Sequence, residues 1–368
     1  MSNLSIDKGK ILIYRVFDIG EEINLVKLEN ILKEKAERFK LNRDFRKAIV
    51  ISDAPLSLAM GEEKIEINGQ IFCFEIIAKV WTYGTLSFTL QYNIPPGTDW
   101  AQLIELSHLF ENATTLDTIA RNKAREFTLT STSAMKKTSE WDTYEDYVIY
   151  FIEKMDGIDN LRDLKDKADI PSLILAEVKE ELSESIKKNV HEMTFQYSKS
   201  DMAVIDWNSA LVVEPSGSMD LPDVIEFALT QLLEMRYYDD ILDQKLATLY
   251  NSIENKNTGL LSDPYSKLAK EAGQTYLELS EIIETIENSF KVVGDFYLAT
   301  IFRAASSRFR FNDWLNNINS KLGNLAEVSK VLQGEIHARR AQASEVIIIV
   351  LIAFELLPAL YKLFWGKA

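Results

Sequence analysis

Short runs of apolar residues, several of them alternating with polar ones, fill the first 215 positions, and long stretches of helical period fill the rest. Residues 11–17 (ILIYRVF) form a β-rich run. A helix-period segment follows over about residues 22–39, then a second apolar run at 48–51, an order that suggests a βαβ start. Asn68-Gly69 stands between KIEI and QIFCFEIIAKVW, and this dipeptide supplies the two positive-φ positions of a type I′ hairpin turn. A further turn at Tyr83-Gly84 leads into TLSFTLQYNI, so residues 64–94 predict three strands in meander order. Asp99 is placed to cap a helix reaching Phe110. Two or three helices are expected between Leu116 and Glu184, and short strands return at 193–198, 202–207 and 209–214. Residues 1–215 thus predict an α+β domain with a mainly antiparallel sheet.

After PSGSMDLP (215–222) the pattern turns helical. Pro222 suits a first helical turn, and neither Gly nor Pro interrupts the chain from there to Ile253. Residues 255–263 (NKNTGLLSD) read as a loop, a second helix is predicted over about 264–308, and a third starts near residue 312. In the third, Leu315, Ile318, Leu322, Leu325, Leu332 and Ile336 fall at a and d spacing, with Ser329 breaking the series. This stripe is the expected seam of a coiled-coil-like hairpin over 216–342 and the candidate surface for homo-oligomerisation.

The most apolar stretch is VIIIVLIAFELLPALYKLFW, residues 346–365. Its twenty residues span roughly 30 Å at about 1.5 Å each, the hydrocarbon thickness of a bilayer. Roughly 14 apolar residues at about −0.4 kcal/mol each, against about 3 kcal/mol for a mid-segment acid, leave insertion favourable by a few kcal/mol. Residues 343–368 are therefore predicted to form a single-pass C-terminal anchor. Val346, Ile349, Leu351, Phe354 and Leu357 supply its apolar body, Glu355 its one acid, and Tyr361 and Trp365 an interfacial aromatic pair. A buried core helix, or an amphipathic arm packed on a partner, is the competing reading raised by Glu355 and Pro358. The bases flanking the segment are balanced. The first residues lack a basic start, an apolar run and a small-residue cleavage site, and they carry acids unsuited to a mitochondrial presequence, so the body is expected on the cytoplasmic side.

Charge narrows the partners further. The 368 residues hold 56 Asp and Glu against 41 Lys and Arg, a formal net charge of −15, which argues against the whole body lying on nucleic acid or anionic lipid. A single cysteine excludes an intramolecular disulfide, and three histidines leave little for a histidine-rich metal centre. No dinucleotide-binding glycine motif, phosphate loop, serine-nucleophile elbow or H-E-x-x-H pair occurs. Glu105 and His108 lie one helical turn apart, as in half of a di-metal site, but no second such pair exists and a surface pair is expected. Cys73 falls on the β-strand face opposite Phe72, Phe74 and Ile76 and reads as an inert thiol. Asp239 and Asp243, one turn apart, read as a solvated helix face. Arg303, Arg308, Arg310 and Trp314 interleave with Phe302, Phe309 and Phe311. That mixture suits either phosphate and base contacts or a helix core with dipole-complementing arginines.

LLEMRYYDDILDQKLATLY (232–250), SFKVVGDFYLATIFRAASSRFRFNDWLNNINSKL (289–322) and the tail with Glu355 resemble the required-for-meiotic-nuclear-division family, especially its prokaryotic-type members. The resemblance implies an α/β N-terminal domain, a helical hairpin, one C-terminal transmembrane helix and homo-oligomerisation. It also implies a link to translation through a mitochondrial branch, and without a presequence this chain resembles a bacterial or otherwise cytoplasm-facing relative. It carries over no catalytic residue. The expected function is a non-enzymatic, membrane-tethered, self-associating scaffold or adaptor that takes no cofactor and meets an unidentified protein partner. The alternative is a membrane-anchored RNA- or ribosome-associated factor. An enzyme whose site is assembled from residues distant in sequence is the third reading, to be recognised by convergent perturbed carboxylates in a deep pocket.

Overall fold

The computed structural model describes residues 4–34, 40–41, 55–138, 142–158, 160–254, 264–289 and 296–365; the apolar run at 48–51 and the loop at 255–263 lie outside the described residues. The chain divides into two compact units, Met1–Tyr237 with Asn288–Asn312, and Tyr238–Glu287 with Asp313–Ala368.

The first unit is built on a mixed sheet. Strand β1 (Ser5–Asp18) leads to helix α1 (Leu25–Glu34), and β2 (Lys40–Leu41) precedes the meander β3 (Leu56–Ile67), β4 (Gln70–Val80) and β5 (Thr85–Asn93). The hairpin between β3 and β4 closes at Ile67↔Gln70, with Asn68 at φ 49° and Gly69 at φ 80°, as the dipeptide requires. Gly84, at φ 101°, makes the next turn; a Cβ there would stand 1.5 Å from the Gly20 carbonyl oxygen. After β6 (Thr98–Asp99), Asp99 caps α2 (Trp100–Glu111) with a reciprocal capping box through Gln102, and α3 (Thr114–Ser131) follows.

The chain then departs from the sequence expectation. Where two or three helices were predicted, β7 (Tyr144–Asp156) intervenes as an interior strand of the sheet. Its residues 147–152 (YVIYFI) are buried on both faces, so it shows no alternation, and an apolar run of this kind does not distinguish strand from buried helix. Short helices α4 (Leu164–Lys167), α5 (Ile170–Ile174) and α6 (Glu184–Glu192) lead to the strands β8 (Thr194–Phe195), β9 (Met202–Ile205) and β10 (Ser209–Val213).

The strand order is β2-β3-β4-β5-β1-β7-β10-β9-β8, with β6 pairing the start of β1. All pairs are antiparallel except β7–β10. The expected βαβ start is not formed by β1 and its neighbours, since β5 and β7 both run antiparallel to it.

One sheet face, carrying Phe74, Ile76, Phe88, Ile11, Ile13 and Tyr150, packs under α2 and α3 through Leu103, Phe110, Leu116 and Phe127. Phe110 meets Phe72 and Phe74 edge-on at 5.2 and 5.5 Å. The other face is covered by the first turns of α7 (Asp220–Glu254) and by α9 (Phe296–Arg308), with Phe227 against Phe302 and Tyr147 against Phe309. The predicted continuous helix over 264–308 is described as α8 (Pro264–Ser289) and α9, the residues between lying outside the described ones.

The second unit is a helical bundle of the second half of α7, α8 and α10 (Phe311–Trp365). Leu242, Leu246 and Leu249 of α7, Leu268, Ala272 and Leu279 of α8, and Ile318, Leu322, Leu325, Leu332 and Ile336 of α10 are buried. Leu315 is half-buried. The a/d stripe therefore packs inside one chain. Lys321 bridges Asp239 at 2.7 Å and Asp243 at 2.6 Å, so the two acids read as a solvated face hold α10 to α7. The Arg339 guanidinium lies 4.9 Å from the Tyr265 ring centre, and beyond it every described side chain of α10 is exposed or half-exposed.

Candidate functional site

The sheet face under α7 carries a seam of buried polar groups. Lys79 of β4, Ser87 and Thr85 of β5, and Tyr14 and Asp18 of β1 face Asp223, Glu226, Thr230 and Glu234, spaced three or four residues apart along one side of α7. Lys79 donates to Asp223 at 2.8 Å and to Glu226 at 2.5 Å, Tyr83 shares a hydrogen bond with Thr230 at 2.7 Å, and Thr85 donates to Glu234 at 2.8 Å. Arg236 donates to Glu145 of β7. Among the described residues, Lys79 thus pairs with Asp223 and Glu226, Arg236 pairs with Glu145, and the Asp18 charge acts on Glu234.

Burial and these neighbouring charges set the protonation of the seam. Burial works against the Lys79 ammonium, but Glu226 and Asp223 outweigh it and hold its pKa above the usual lysine value. Burial wins at Glu226, whose pKa is raised above its ordinary value despite Lys79. Burial pushes Glu145 up to about 7 against the pull of Arg236. At Glu234 burial and the Asp18 charge act together, and its pKa lies well above the ordinary value.

A separate cleft of about 390 Å³ opens at the other end of α7's leading turn, lined by Tyr197, Asp201, Glu214, Ser218, Asp220 and Tyr297 among others. Asp201 accepts from the Tyr197 N–H at 2.8 Å and from the Tyr297 hydroxyl at 3.1 Å. Burial alone would raise the Asp201 pKa, and these donors with Ser198 hold it below the usual value.

The residues singled out from sequence are spread between the units. Arg308 donates to the Asn189 carbonyl at 3.0 Å, with Nε 3.6 Å from Asp206. Arg303 bonds back to the Ala299 carbonyl of its own helix. Arg310, at φ 59°, makes the turn into α10, and Trp314 is half-buried. Phe302, Phe309 and Phe311 are core residues. His108 pairs with the Ala176 carbonyl at 2.9 Å, and Cys73 is exposed. Val346, Ile349, Leu351, Phe354 and Leu357 are between 42% and 71% exposed, Glu355 is exposed, and the side chains of Tyr361 and Trp365 lie outside the described ones. Sequence reading missed the seam. Its only trace was polar residues at helical spacing on α7 and a lysine on a strand face, with partners 144 to 149 positions apart.

A layered α+β unit joined to a helical bundle with a long apolar C-terminal helix defines the class of protein. Residues 8–220 match the family described as "Uncharacterized protein MJ0711, N-terminal domain", and the chain belongs to that family. It is 23% identical over 236 residues to "Uncharacterized protein MJ0711" of Methanocaldococcus jannaschii, an alignment covering 63% of this chain and 70% of that one. No solved structure matches the chain. The match ends at the start of α7, so the segments resembling the required-for-meiotic-nuclear-division family lie beyond it.

Proposed function

We infer that the chain is a membrane-tethered adaptor without catalytic activity, its anchor the C-terminal part of α10 and its folded body on the cytoplasmic side. One observation carries this reading. The segment from Val346 to Leu357 is helical and apolar, with mean hydropathy reaching 1.8 in its helix, and none of its most apolar window is buried. An uncovered apolar surface of this length in water is unfavourable, and about 20 such residues match a bilayer core. Glu355 in mid-segment then needs a neighbour or a proton.

The body offers the adaptor surface. The a/d stripe is occupied within the chain, so self-association of the folded protein falls to the anchor helix or another exposed face. A kinship with the required-for-meiotic-nuclear-division family fits this arrangement. Phe302, Phe309 and Phe311 fill the core and Arg308 is engaged internally, which weighs against the nucleic-acid alternative. The carboxylates of the seam do not line the cleft.

Cys73 is exposed and is the chain's one cysteine, which makes it a native reporter. The full chain should sediment with membranes, and a chain lacking residues 346–368 should not. A membrane-impermeant maleimide should label Cys73 only after the cells are opened. Sedimentation of the truncated chain would overturn the anchor, and labelling in intact cells would overturn the orientation.

A further inference from the structure

The cleft at the start of α7 is walled by the loop from β8 to β9, the loop from β10 into α7 and the first turn of α9, all within the first unit. Tyr197 and Tyr297 hold their rings 5.4 Å apart at 44° to one another. Leu221 and Leu298 add buried aliphatic surface to the wall. Asp201, Glu214 and Asp220 bring three carboxyls to it, and among the described residues neither lysine nor arginine lines it. Lys199, between the lining residues Ser198 and Ser200, is itself exposed and outside the wall.

The three acids differ in what the fold asks of them. Asp201 accepts from the N–H groups of Tyr197 and Ser198 and from the Tyr297 hydroxyl, which fixes the β8–β9 loop against α9 and favours the charged carboxylate. Glu214 accepts from the Ser216 N–H and hydroxyl through Oε1 alone. Its other oxygen and the Asp220 carboxyl accept no hydrogen bond from the chain, and neither acid belongs to an ion pair. Two half-buried carboxylates are thus available to a ligand beside a tyrosine pair.

The arrangement selects among cations. Among the described residues, no three acids or histidines converge closely enough to hold one metal ion. The negative charge is spread along a wall that also carries aromatic and aliphatic surface. A matching ligand has separated positive charges on an apolar stem. Its ammonium groups meet carboxylates and the faces of tyrosine rings, and its methylenes cover the apolar part of the wall. A cleft of about 390 Å³ is in the range that small molecules occupy.

We propose that this cleft binds an aliphatic di- or polyamine, with ammonium groups on Glu214 and Asp220 and the methylene stem against Tyr197, Tyr297 and Leu221. The site belongs to the folded body and is independent of any membrane attachment.

The test is calorimetric titration of the full chain in detergent at physiological salt. Spermidine should saturate a single site, and putrescine, with fewer charges, should bind it more weakly. Glu214→Gln and Asp220→Asn should each weaken spermidine about tenfold, as expected for loss of a hydrogen bond to a charged group. Tyr197 is 77% exposed, so its variants report on binding and not on folding. Tyr197→Ala should cost about threefold, and Tyr197→Phe, which keeps the ring face, should bind as the parent does. Glu66→Gln removes the same charge from an exposed position outside the cleft and should change nothing. Equal weakening by Glu66→Gln would reduce the binding to general attraction by a chain of net charge −15 and overturn the site. Absence of saturable binding would also overturn it. So would displacement of spermidine by equimolar magnesium, which would make the cleft a metal site, or tighter binding of a lysine-rich peptide, which would assign it to a protein partner.

Discussion

Lys79→Met isolates the energetics of the seam. Lys79 is 13% exposed in its side chain and bridges Glu226, 1% exposed, and Asp223, 20% exposed. Removing one partner of a buried ion pair costs about 3–5 kcal/mol, because the surviving charge keeps its desolvation penalty. Asp223 retains access to water, which sets the expectation near the lower end, about 3 kcal/mol. The charged pair itself is worth far less than this loss, since buried pairs replaced by apolar residues of similar volume are often neutral. Lys79→Met with Glu226→Met should therefore recover stability to within about 1 kcal/mol of the parent. Urea unfolding at pH 7 in detergent, followed by the fluorescence of Trp81 and Trp100, both buried in the sheet unit, measures the three proteins. The single variant should also be less impaired at pH 5 than at pH 7. Without Lys79, Glu226 has a still higher folded pKa, and its contribution is lost as pH rises. A single variant that loses less than about 1 kcal/mol, or a double variant as unstable as the single, would refute the reasoning.

Two further outcomes test the frame around the seam. Gly84→Ala should cost more than about 3 kcal/mol in thermal or urea unfolding, because it combines a positive φ with a Cβ set on the Gly20 carbonyl. Leu325→Ala should destabilise the bundle by about 2–5 kcal/mol. Leu325 is 1% exposed within one chain, so that loss should be the same at every protein concentration. A loss that vanishes at high concentration would return this residue to an interface between chains.

Local chemistry made much of the fold legible. The Asn68-Gly69 turn, the Asp99 cap, the meander and the three helical stretches after residue 219 each rest on residues adjacent in sequence. β7 was illegible for a physical reason: helices cover both of its faces, so every side chain from Tyr147 to Ile152 is apolar and the two-residue period disappears. The leading half of α7 was assigned to a hairpin because its pattern is helical and unbroken by Gly or Pro from Pro222 to Ile253. Nothing near Glu226 and Glu234 in sequence marks their partners, Lys79 and Thr85, which lie on distant strands. The apolar tail could be read because its signal is carried by consecutive residues, whereas the acids of the seam acquire meaning only from partners on distant strands.

The unbroken course of α10 has a mechanical consequence. It is one helix from Phe311 to Trp365, and only six residues, a rise of roughly 10 Å, separate Arg339 at the end of the bundle from Val346. If residues 346–365 cross a bilayer, the bundle stands on a mast rather than swinging on a cord. A sideways load on the bundle would then reach the lipid as a change in helix tilt instead of being absorbed by slack.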